Sequence, residues 1–369
     1  MVEIDLVCPW VDGSDPAWQQ DRQRYVPTEL QSGVLMYRDW QLMRYWFRGV
    51  ERALPWIRKV HFVTWGHLPP WLNTEHPKLH VVRHDEFIPR AYLPTFSSSA
   101  IMLNIHRIPG LAEQFILSND DFFYLDETAP EEYFQNGLPC DQLHIKPITE
   151  VCTDNFGYIL WNNISCLNEH FDLRTCMAQH KDQWFADCYP DKVLADNCLA
   201  ASLRHFPGFD CPHLPQPYLK STFETVWGKA YTRLNYASKQ KFRTWSDHTE
   251  WLMRYWQLAS GQFVPYVRQG GQAISLDLEK EKIKETLLST QNRVVCLNEG
   301  ERSVDYLSRR AYLKNLFERV LPQKSAFEKD GGGRVGKIGV GDSIPAVGRG
   351  SSSRPSPGGA AGANASAGV

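Results

Sequence analysis

The chain has 369 residues, 43% hydrophobic and 22% charged, which is enough to bury a sizeable core in one large domain or two smaller ones. Its formal net charge of −2 excludes a global basic field of the kind that recruits nucleic acid. No stretch approaches the roughly 20 apolar residues of a membrane-spanning helix, and the acidic start interrupted by Pro9 is unlike a signal peptide.

The nine cysteines show neither metal-ligand spacing nor a tight disulfide framework. Reduced thiols of this kind are typical of proteins in a reducing compartment. The sequence therefore predicts mostly free cysteines and a cytoplasmic location, with a paired subset as the alternative.

The first predicted strand, Ile4 to Trp10, runs directly into the turn Val11 to Pro16. Open α/β sheets place polar groups at the carboxyl ends of their strands, where ligands bind. Asp12 is therefore a candidate for substrate contact or catalysis, and Asp15 a candidate for substrate binding. The alternative is that Asp12 closes an Asx turn while Asp15 and Pro16 begin a helix that contains Trp18.

The next predicted element is a helix over Tyr37 to Ala53, whose apolar stripe faces the core. Arg38 precedes this stripe and is a candidate bidentate phosphate donor, the alternative being a surface ion pair with Asp39 or another acid. Strands follow over Val60 to Trp65 and Leu79 to Val82. Strands that alternate with helices predict an α/β fold with a doubly wound, mostly parallel sheet, Rossmann-like or glycosyltransferase-A-like.

The central stretch Phe115 to Tyr124 reads as a buried strand that reaches Asn119, Asp120 and Asp121. Adjacent carboxylates at a strand end need a partner, and one or two carboxylates together with substrate phosphates are the usual ligands of Mg²⁺. Asp120 and Asp121 are therefore predicted to bind Mg²⁺ or Mn²⁺, with Asn119 contacting substrate. The alternative is a loop in which Asp120 caps a helix and Asp121 is solvated.

Two further segments carry candidate polar side chains. A helix over Ala100 to Ile108 presents His106 and Arg107, which are candidates for lining a substrate cleft or else structural residues. His213 lies between Pro212 and Pro215, which restrict the backbone and favour a positioned acid or base over a core histidine.

The segment Lys241 to Trp256 joins a polar head to an apolar helix. Ser246 with Thr249 or Glu250 could start that helix and place Asp247 at its positive end, and such a terminus also binds phosphate. Arg243 is therefore a candidate catalytic residue, and Asp247 and His248 are candidates for substrate binding.

The rest of the chain sets the domain limits. A helical part at 151–290 is predicted to be an insertion that binds the acceptor or forms a lid. A late strand over Arg293 to Leu297 ends near Glu299, and a closing helix covers Ser303 to Val320. Beyond about 330 the composition shifts to Gly, Ser, Ala and Pro, which predicts a disordered tail at 331–369 after one domain at 1–330.

Taken together, these motifs resemble the Stealth family of hexose-1-phosphate transferases, which includes bacterial capsular polysaccharide phosphotransferases. The resemblance is carried by the following blocks: WVDGSDPAW at 10–18, 37–73 and 93–124 as one long block that ends in SNDDFFY, the looser pair PHLPQPYLK at 212–220 and FRTWSDHTEW at 242–251, and VCLNEGE at 295–301. It spans nearly the whole chain outside the tail.

The resemblance implies transfer of a sugar 1-phosphate from a nucleotide diphosphate sugar, with a UDP-sugar favoured, to a hydroxyl of a polysaccharide in capsule or exopolysaccharide synthesis. The nucleoside monophosphate leaves. Under this hypothesis Asp120 and Asp121 hold the metal, Arg38 and Arg243 neutralise charge, and His213 is the general base. Asp12 either orients the donor or competes with His213 for the base role.

Two rival functions remain open from the sequence. A metal-dependent glycosyltransferase would attack the sugar carbon and release the nucleoside diphosphate. A non-catalytic glycan-binding protein would use the 13 tryptophans for stacking on sugar. The expected partners are the donor, a glycan acceptor and, by peripheral contact, an assembly complex at the inner membrane; no nucleic acid is expected.

Overall fold

The computed structural model describes residues 3–27, 37–149, 155–300 and 304–329. Its strands are β1 Ile4–Trp10, β2 Lys59–Thr64, β3 Leu79–Arg83, β4 Gln114–Leu117, β5 Phe122–Tyr124, β6 Phe134–Gln135, β7 Leu138–Asp141, β8 Gln216–Leu219, β9 Val264–Pro265, β10 Gly271–Ser275 and β11 Val294–Asn298. Its α-helices are α1 Pro16–Gln23, α2 Met43–Ala53, α3 His84–Phe87, α4 Ser98–Asn104, α5 Asn155–Asn168, α6 Leu173–Gln179, α7 Lys181–Trp184, α8 Asp191–Ala200, α9 Lys220–Lys229, α10 Tyr231–Ser238, α11 Trp251–Ala259, α12 Lys280–Leu288 and α13 Tyr306–Val320.

A five-stranded sheet in the order β3-β2-β1-β4-β8 forms the centre of the fold. The strands β3, β2, β1 and β4 are parallel to one another, and β8 adds an antiparallel edge next to β4. The order of the chain reverses between β1 and β4. Ligands of open α/β sheets bind beyond the carboxyl ends of the strands at such a reversal.

Both faces of this sheet are buried, which explains why its strands read as continuous apolar runs rather than alternating ones. Val7, Val63 and Phe115 contribute to a core on one face, while Leu6 and Phe62 contribute to a core on the other. The first core is covered by helices such as α4 and α11, and the second by helices such as α2 and α13. The α/β class predicted from the alternating elements is confirmed.

The stretch Phe115 to Tyr124 is not one strand. It pairs with β1 as β4 up to Leu117, leaves the sheet at Ser118, and resumes at Phe122 as β5. β5 pairs with β11 in a second sheet of order β10-β11-β5. The turn that carries Asp120 and Asp121 therefore joins the two sheets. Its carboxylates lie where residues from both sheets can reach them.

The predicted helix at Tyr37 to Ala53 begins six residues later, at Met43. Gln41 has a left-handed backbone with φ of 56°, which a helix cannot contain. The residues from Arg38 to Leu42 consequently form an irregular segment. Gly13 lies close against this region, since a Cβ atom there would meet the backbone oxygen of Tyr37 at 2.0 Å.

Several other predictions can be compared with the structure. The late strand and the closing helix are confirmed as β11 and α13, and the described residues up to Lys329 form one compact unit. The tail predicted to be disordered lies outside the described residues. All eight cysteines within the described ranges are free thiols. Among the described residues, no helix has the length and apolar character needed to cross a membrane.

Candidate functional site

Acidic side chains gather at the carboxyl edge of the central sheet. Asp12 follows β1, Asp120 and Asp121 follow β4, and Asp39 enters from the irregular segment before α2. Asp39 was missed in the sequence as a site residue and considered there only as an ion-pair partner of Arg38. The position of Asp39 depends on the left-handed residue Gln41, which no periodic pattern reveals.

Burial, together with neighbouring carboxylates, raises the pKa of Asp120 and of Asp39. Asp120 is open to solvent, but protein surrounds it on the remaining sides, and this desolvation together with the charges of Asp121 and Asp39 raises its pKa. Burial raises the pKa of Asp39 to about 6, and the charge of Asp12 adds to the shift. Mutual repulsion of this kind is relieved when the carboxylates share a cation.

Two adjoining cavities meet at this edge, with Asp39 and Met43 lining both. The smaller cavity, of about 130 Å³, is lined by Arg38, Asp120 and Asp121 among others. The larger, of about 440 Å³, contains Asp12, Asp15, His67, Arg44, Lys314, Trp10 and Trp71 in its wall. Its size lies within the roughly 300–1,000 Å³ of small-molecule sites.

His213 reaches the same carboxylates from a different part of the chain. Its Nε2 lies 3.5 Å from Oδ2 of Asp121, and its ring packs edge-on against Phe122 with centroids 5.0 Å apart. The buried amide of Gln216 donates to the carbonyls of Pro212 and Leu214, which fixes the segment on both sides of His213. Desolvation lowers the pKa of His213, but the hydrogen bond and charge of Asp121, aided by Glu250, outweigh it and the net shift is upward.

Glu250 is a second residue that the sequence did not identify as part of the site. It is buried, its Oε2 has no hydrogen-bond partner among the described residues, and burial raises its pKa to about 7. The charges of Arg243 and His213 both act on it. Glu250 therefore lies close enough to these two predicted site residues to couple them electrostatically. Its sequence position, beside an apparent helix cap, pointed to a capping role instead.

Arg38 and Glu299 form a pair across the smaller cavity. Nη1 of Arg38 lies 3.1 Å from Oε1 of Glu299, and the indole of Trp40 donates to Oε2 of the same carboxylate. The ion pair considered as the alternative in the sequence is therefore present, with Glu299 rather than Asp39 as the acid. Among the described residues Glu299 engages Nη1 alone, so the guanidinium has further N–H groups that can donate near Asp120.

Asp12 and Asp15 take the local roles considered as alternatives and still line the larger cavity. Oδ1 of Asp12 accepts from the backbone N–H and hydroxyl of Ser14, which closes an Asx turn. Asp15 caps α1 by accepting from the backbone N–H groups of Ala17 and Trp18. The backbone N–H of Asp12 donates to Nε2 of His67 at 2.7 Å, so His67 is another cavity residue that the sequence did not reveal.

Asn119 and Arg243 have different surroundings. The backbone carbonyl of Asn119 accepts from the indole of Trp46, which anchors the acidic turn to α2. Nη2 of Arg243 donates to the hydroxyl of Ser98 at the start of α4. Since α4 leads back to the start of β4, its first residue lies at the carboxyl edge of the sheet.

His106 and Arg107 do not reach this edge. His106 is buried, with its ring 5.6 Å from that of Phe223, and burial lowers its pKa to about 3. Arg107 covers the ring of Trp227. Both follow α4 and precede β4, so they lie at the opposite edge of the sheet. Their predicted role in lining the cleft is therefore not supported, because the helix carries them away from the acidic residues.

Asp247 and His248 are also internal rather than ligand-facing. Asp247 accepts from the backbone N–H and hydroxyl of Thr244 and closes a turn. His248 is buried, and burial lowers its pKa to about 4. The predicted cap at Ser246 is wrong, since α11 begins at Trp251 without a side-chain cap.

Comparison with known proteins agrees with the geometry. Residues 2–28 match conserved region 1 of Stealth proteins, and residues 36–141 match conserved region 2. A capsular polysaccharide phosphotransferase (WcwK) of Streptococcus pneumoniae is 36% identical over 329 residues, which cover 88% of this chain and 99% of the relative. The chain belongs to the Stealth family. The resemblance found in the sequence motifs is thereby confirmed.

Other relatives of this Stealth protein have similar coverage. An exopolysaccharide phosphotransferase (cps2G) of Lactiplantibacillus plantarum is 36% identical, over 89% of this chain and 96% of the relative. A receptor polysaccharide phosphotransferase (WefC) of Streptococcus gordonii is 35% identical, over 89% of this chain and 100% of the relative.

The matched regions contain part of the site of this Stealth protein. Region 1 includes Asp12, and region 2 includes Asp39, Asp120 and Asp121. His213 and the residues near it lie outside both regions. The fold brings them together, because β8 follows His213 directly and pairs with β4.

Proposed function

We propose that this protein transfers a sugar 1-phosphate from a nucleotide diphosphate sugar to a hydroxyl of a capsular or exopolysaccharide, releasing the nucleoside monophosphate. The observation that carries this proposal is the approach of His213 to Asp121, beside Asp120, at the reversal of strand order. This arrangement puts a base next to an acidic cluster suited to a pyrophosphate and its cation. The names of the relatives support phosphate transfer to polysaccharide.

The larger cavity is the proposed site for the nucleoside part of the donor, for which a UDP-sugar is favoured. Trp10 and Trp71 offer aromatic surface there, and Arg44 and Lys314 offer positive charge. The pyrophosphate would then extend past Asp39 into the smaller cavity, toward Asp120 and Arg38. This places the phosphorus next to the sugar beside His213.

Asp120 and Asp121 are the proposed ligands of Mg²⁺ or Mn²⁺, with Asp39 close by. Three observations support the fit: the donors are hard carboxylate oxygens, Oδ1 of Asp121 is buried without a hydrogen-bond partner among the described residues, and desolvation together with repulsion from Asp121 raises the pKa of Asp120. Bound there, the cation would neutralise the pyrophosphate charge.

The protein's own residues supply the remaining chemistry. The acceptor hydroxyl attacks the phosphorus next to the sugar while His213 takes its proton at Nε2. The bond from that phosphorus to the bridging oxygen breaks, and the nucleoside monophosphate leaves with the oxygen. Arg38 and Arg243 stabilise the charge that develops on the phosphate oxygens. Asp12 orients the donor from its turn, which leaves the base role to His213.

Replacing His213 with Gln is expected to lower the transfer rate about 10²–10⁴-fold, because a general base contributes this much. The exposed His205 provides the matched control, since His205→Gln removes an imidazole away from the site. Steady-state rates of glycan phosphorylation measure both variants. Equal rates for His213→Gln and the unaltered protein would remove His213 from the mechanism.

Exposed aromatic residues mark the proposed acceptor site in the helical part of the chain. The side chain of Trp245 lies next to Tyr158 on α5, with ring centroids 6.5 Å apart, and Trp161 follows one turn later. Trp245 is 65% exposed although it stands two residues from Arg243. Aromatic faces without apolar cover suit the apolar faces of sugar rings.

Replacing Trp245 with Ala is expected to raise KM for the glycan acceptor about fivefold, as the loss of about 1 kcal/mol of aromatic contact implies. KM for the donor should not change. Tyr231→Ala is the control, because Tyr231 is 59% exposed near Trp227, at the opposite edge of the sheet. An unchanged acceptor KM in Trp245→Ala would move the acceptor site elsewhere.

The proposal is tested by incubating the full chain with a panel of nucleotide sugars and a glycan acceptor, with Mg²⁺, with Mn²⁺ and with a chelator. Transfer is expected with one donor class, and chelation should abolish it. Addition of Mg²⁺ should restore it. Glycan binding without turnover in every arm would favour the non-catalytic alternative.

The proposal also includes the fold type, the domain limits and the location of the protein. The parallel order β3-β2-β1-β4 matches the first four strands of the doubly wound, Rossmann-like order, which supports that fold or its glycosyltransferase-A-like relative. We assign residues 1–330 to one catalytic domain, with 151–290 as its acceptor part. Location in the cytoplasm, with peripheral contact to an inner-membrane assembly complex, completes the proposal.

A further inference from the structure

Three chemically different side chains converge on the acidic turn. Oδ2 of Asp121 lies 3.4 Å from Sγ of Cys296 and 3.5 Å from Nε2 of His213. The three potential ligand atoms all lie within 4.8 Å of one another. A thiol, an imidazole and a carboxylate are the ligand types that Zn²⁺ and similar thiophilic cations use, whereas Mg²⁺ does not use sulfur.

The two distances from Oδ2 of Asp121 agree with one tetrahedral ion. With Zn–S near 2.3 Å and Zn–N and Zn–O near 2.1 Å, the sulfur and oxygen ligands of a tetrahedral site lie about 3.6 Å apart, and the nitrogen and oxygen ligands about 3.4 Å. The observed 3.4 Å and 3.5 Å each differ from these values by about 0.2 Å or less. The sulfur and the imidazole nitrogen lie within 4.8 Å of each other, against about 3.6 Å in such a site.

The backbone holds Cys296 beside Asp121. Cys296 on β11 pairs with Phe122, the residue after Asp121, and the backbone N–H of Leu297 donates to the carbonyl of Asp121 at 2.9 Å. Cys296 is buried, but the side chain of His213 is 40% exposed. The His213 side of the cluster is therefore accessible to solvent. A hydrogen bond from the thiol to Asp121 accounts for one carboxylate oxygen but leaves Oδ1 without a partner among the described residues.

We propose that Cys296, Asp121 and His213 form a binding site for a thiophilic divalent cation such as Zn²⁺. Binding replaces the thiol proton of Cys296, which leaves to solvent. Because the bound ion occupies Asp121 and the base nitrogen of His213, it inhibits transfer in the presence of Mg²⁺. The inhibition rests on the proposed function, whereas the binding does not.

Binding is tested first, with Co²⁺ as a spectroscopic probe added to the metal-free, tag-free full chain. The unaltered protein is expected to show the near-ultraviolet absorption of a sulfur-to-cobalt charge transfer and visible bands of tetrahedral Co²⁺. Zn²⁺ should remove both. In Cys296→Ser, which keeps a hydrogen-bonding group of similar size, the sulfur band should disappear while the melting temperature stays close to that of the unaltered protein.

Cys166→Ser is the matched control, because Cys166, Glu169 and His170 form another cluster of a thiol, a carboxylate and an imidazole within the described residues. The Cys166→Ser variant should keep the sulfur-to-cobalt band. Absence of the band in the unaltered protein, or a band lost in Cys166→Ser and kept in Cys296→Ser, would overturn the proposal.

Inhibition is tested separately in the transfer assay at saturating Mg²⁺. The Zn²⁺ concentration for half-inhibition is expected to rise at least about tenfold in Cys296→Ser, since one of three protein ligands is gone. If Cys296→Ser loses the cobalt band but keeps the same Zn²⁺ concentration for half-inhibition, the cation site stands and its inhibitory role is overturned. A chain with the cobalt band but without any transfer activity would overturn the proposed function instead.

Discussion

Asp121→Asn is expected to reduce sugar-phosphate transfer about 10³-fold, which corresponds to about 4 kcal/mol of lost transition-state stabilisation. The amide keeps the shape of the side chain but loses the charge that holds the cation and faces His213 at 3.5 Å. Initial rates at saturating donor and Mg²⁺ measure the effect. Raising Mg²⁺ should recover only part of the activity, because a neutral oxygen is a weak ligand for this hard cation.

Asp126→Asn is the matched control on the same segment of the chain. Its carboxylate is exposed and lies 3.7 Å from Arg52, away from the cavities. This variant should keep nearly full activity. If Asp121→Asn were as active as Asp126→Asn in a folded protein, the acidic turn would not be the metal site.

Asp141→Asn is expected to lower the free energy of unfolding by about 3–5 kcal/mol, the cost of leaving a buried charge without its partner. Both oxygens of Asp141 accept from the guanidinium of Arg254, at 2.7 and 2.9 Å, and both residues are buried. Arg254 also donates to the backbone carbonyl of Asp210. This pair therefore joins β7 and α11 to the segment that leads to His213. Urea denaturation measures the loss.

Two comparisons isolate the cause of that loss. Asp85→Asn breaks an exposed pair with Arg83 and should cost less than about 1 kcal/mol. Replacing the buried pair together, as Asp141→Leu with Arg254→Met, should regain much of the stability, since no unpaired charge remains. A double variant less stable than Asp141→Asn would show that packing rather than charge dominates.

The fold was largely predictable because its strands are buried on both faces and read as apolar runs that alternate with helices. β1, β2 and β3 were predicted within one residue of their observed ends. The break in Phe115 to Tyr124 was not predictable, because both halves are apolar and the sequence does not indicate that they join different sheets. The late start of α2 escaped prediction for a similar reason, since its cause is the backbone of Gln41.

The site was predictable where a local signal marked it. The prolines around His213 and the adjacent carboxylates at Asp120 and Asp121 pointed to positioned chemistry, and the structure brings these residues together. Asp39 and Glu250 escaped because their importance arises from burial and from neighbours distant in sequence. His106 was overvalued, since a histidine on a helix has no sequence feature that distinguishes the cleft from the core.

The path of the phosphorus atom next to the sugar tests the central claim most directly. The full chain is incubated with Mg²⁺, glycan acceptor and a nucleotide diphosphate sugar that carries a radioactive label on that phosphorus alone. We predict that the label appears in the glycan and that the released nucleotide is an unlabelled monophosphate. A labelled nucleoside diphosphate with an unlabelled glycan would contradict the account and identify a glycosyltransferase.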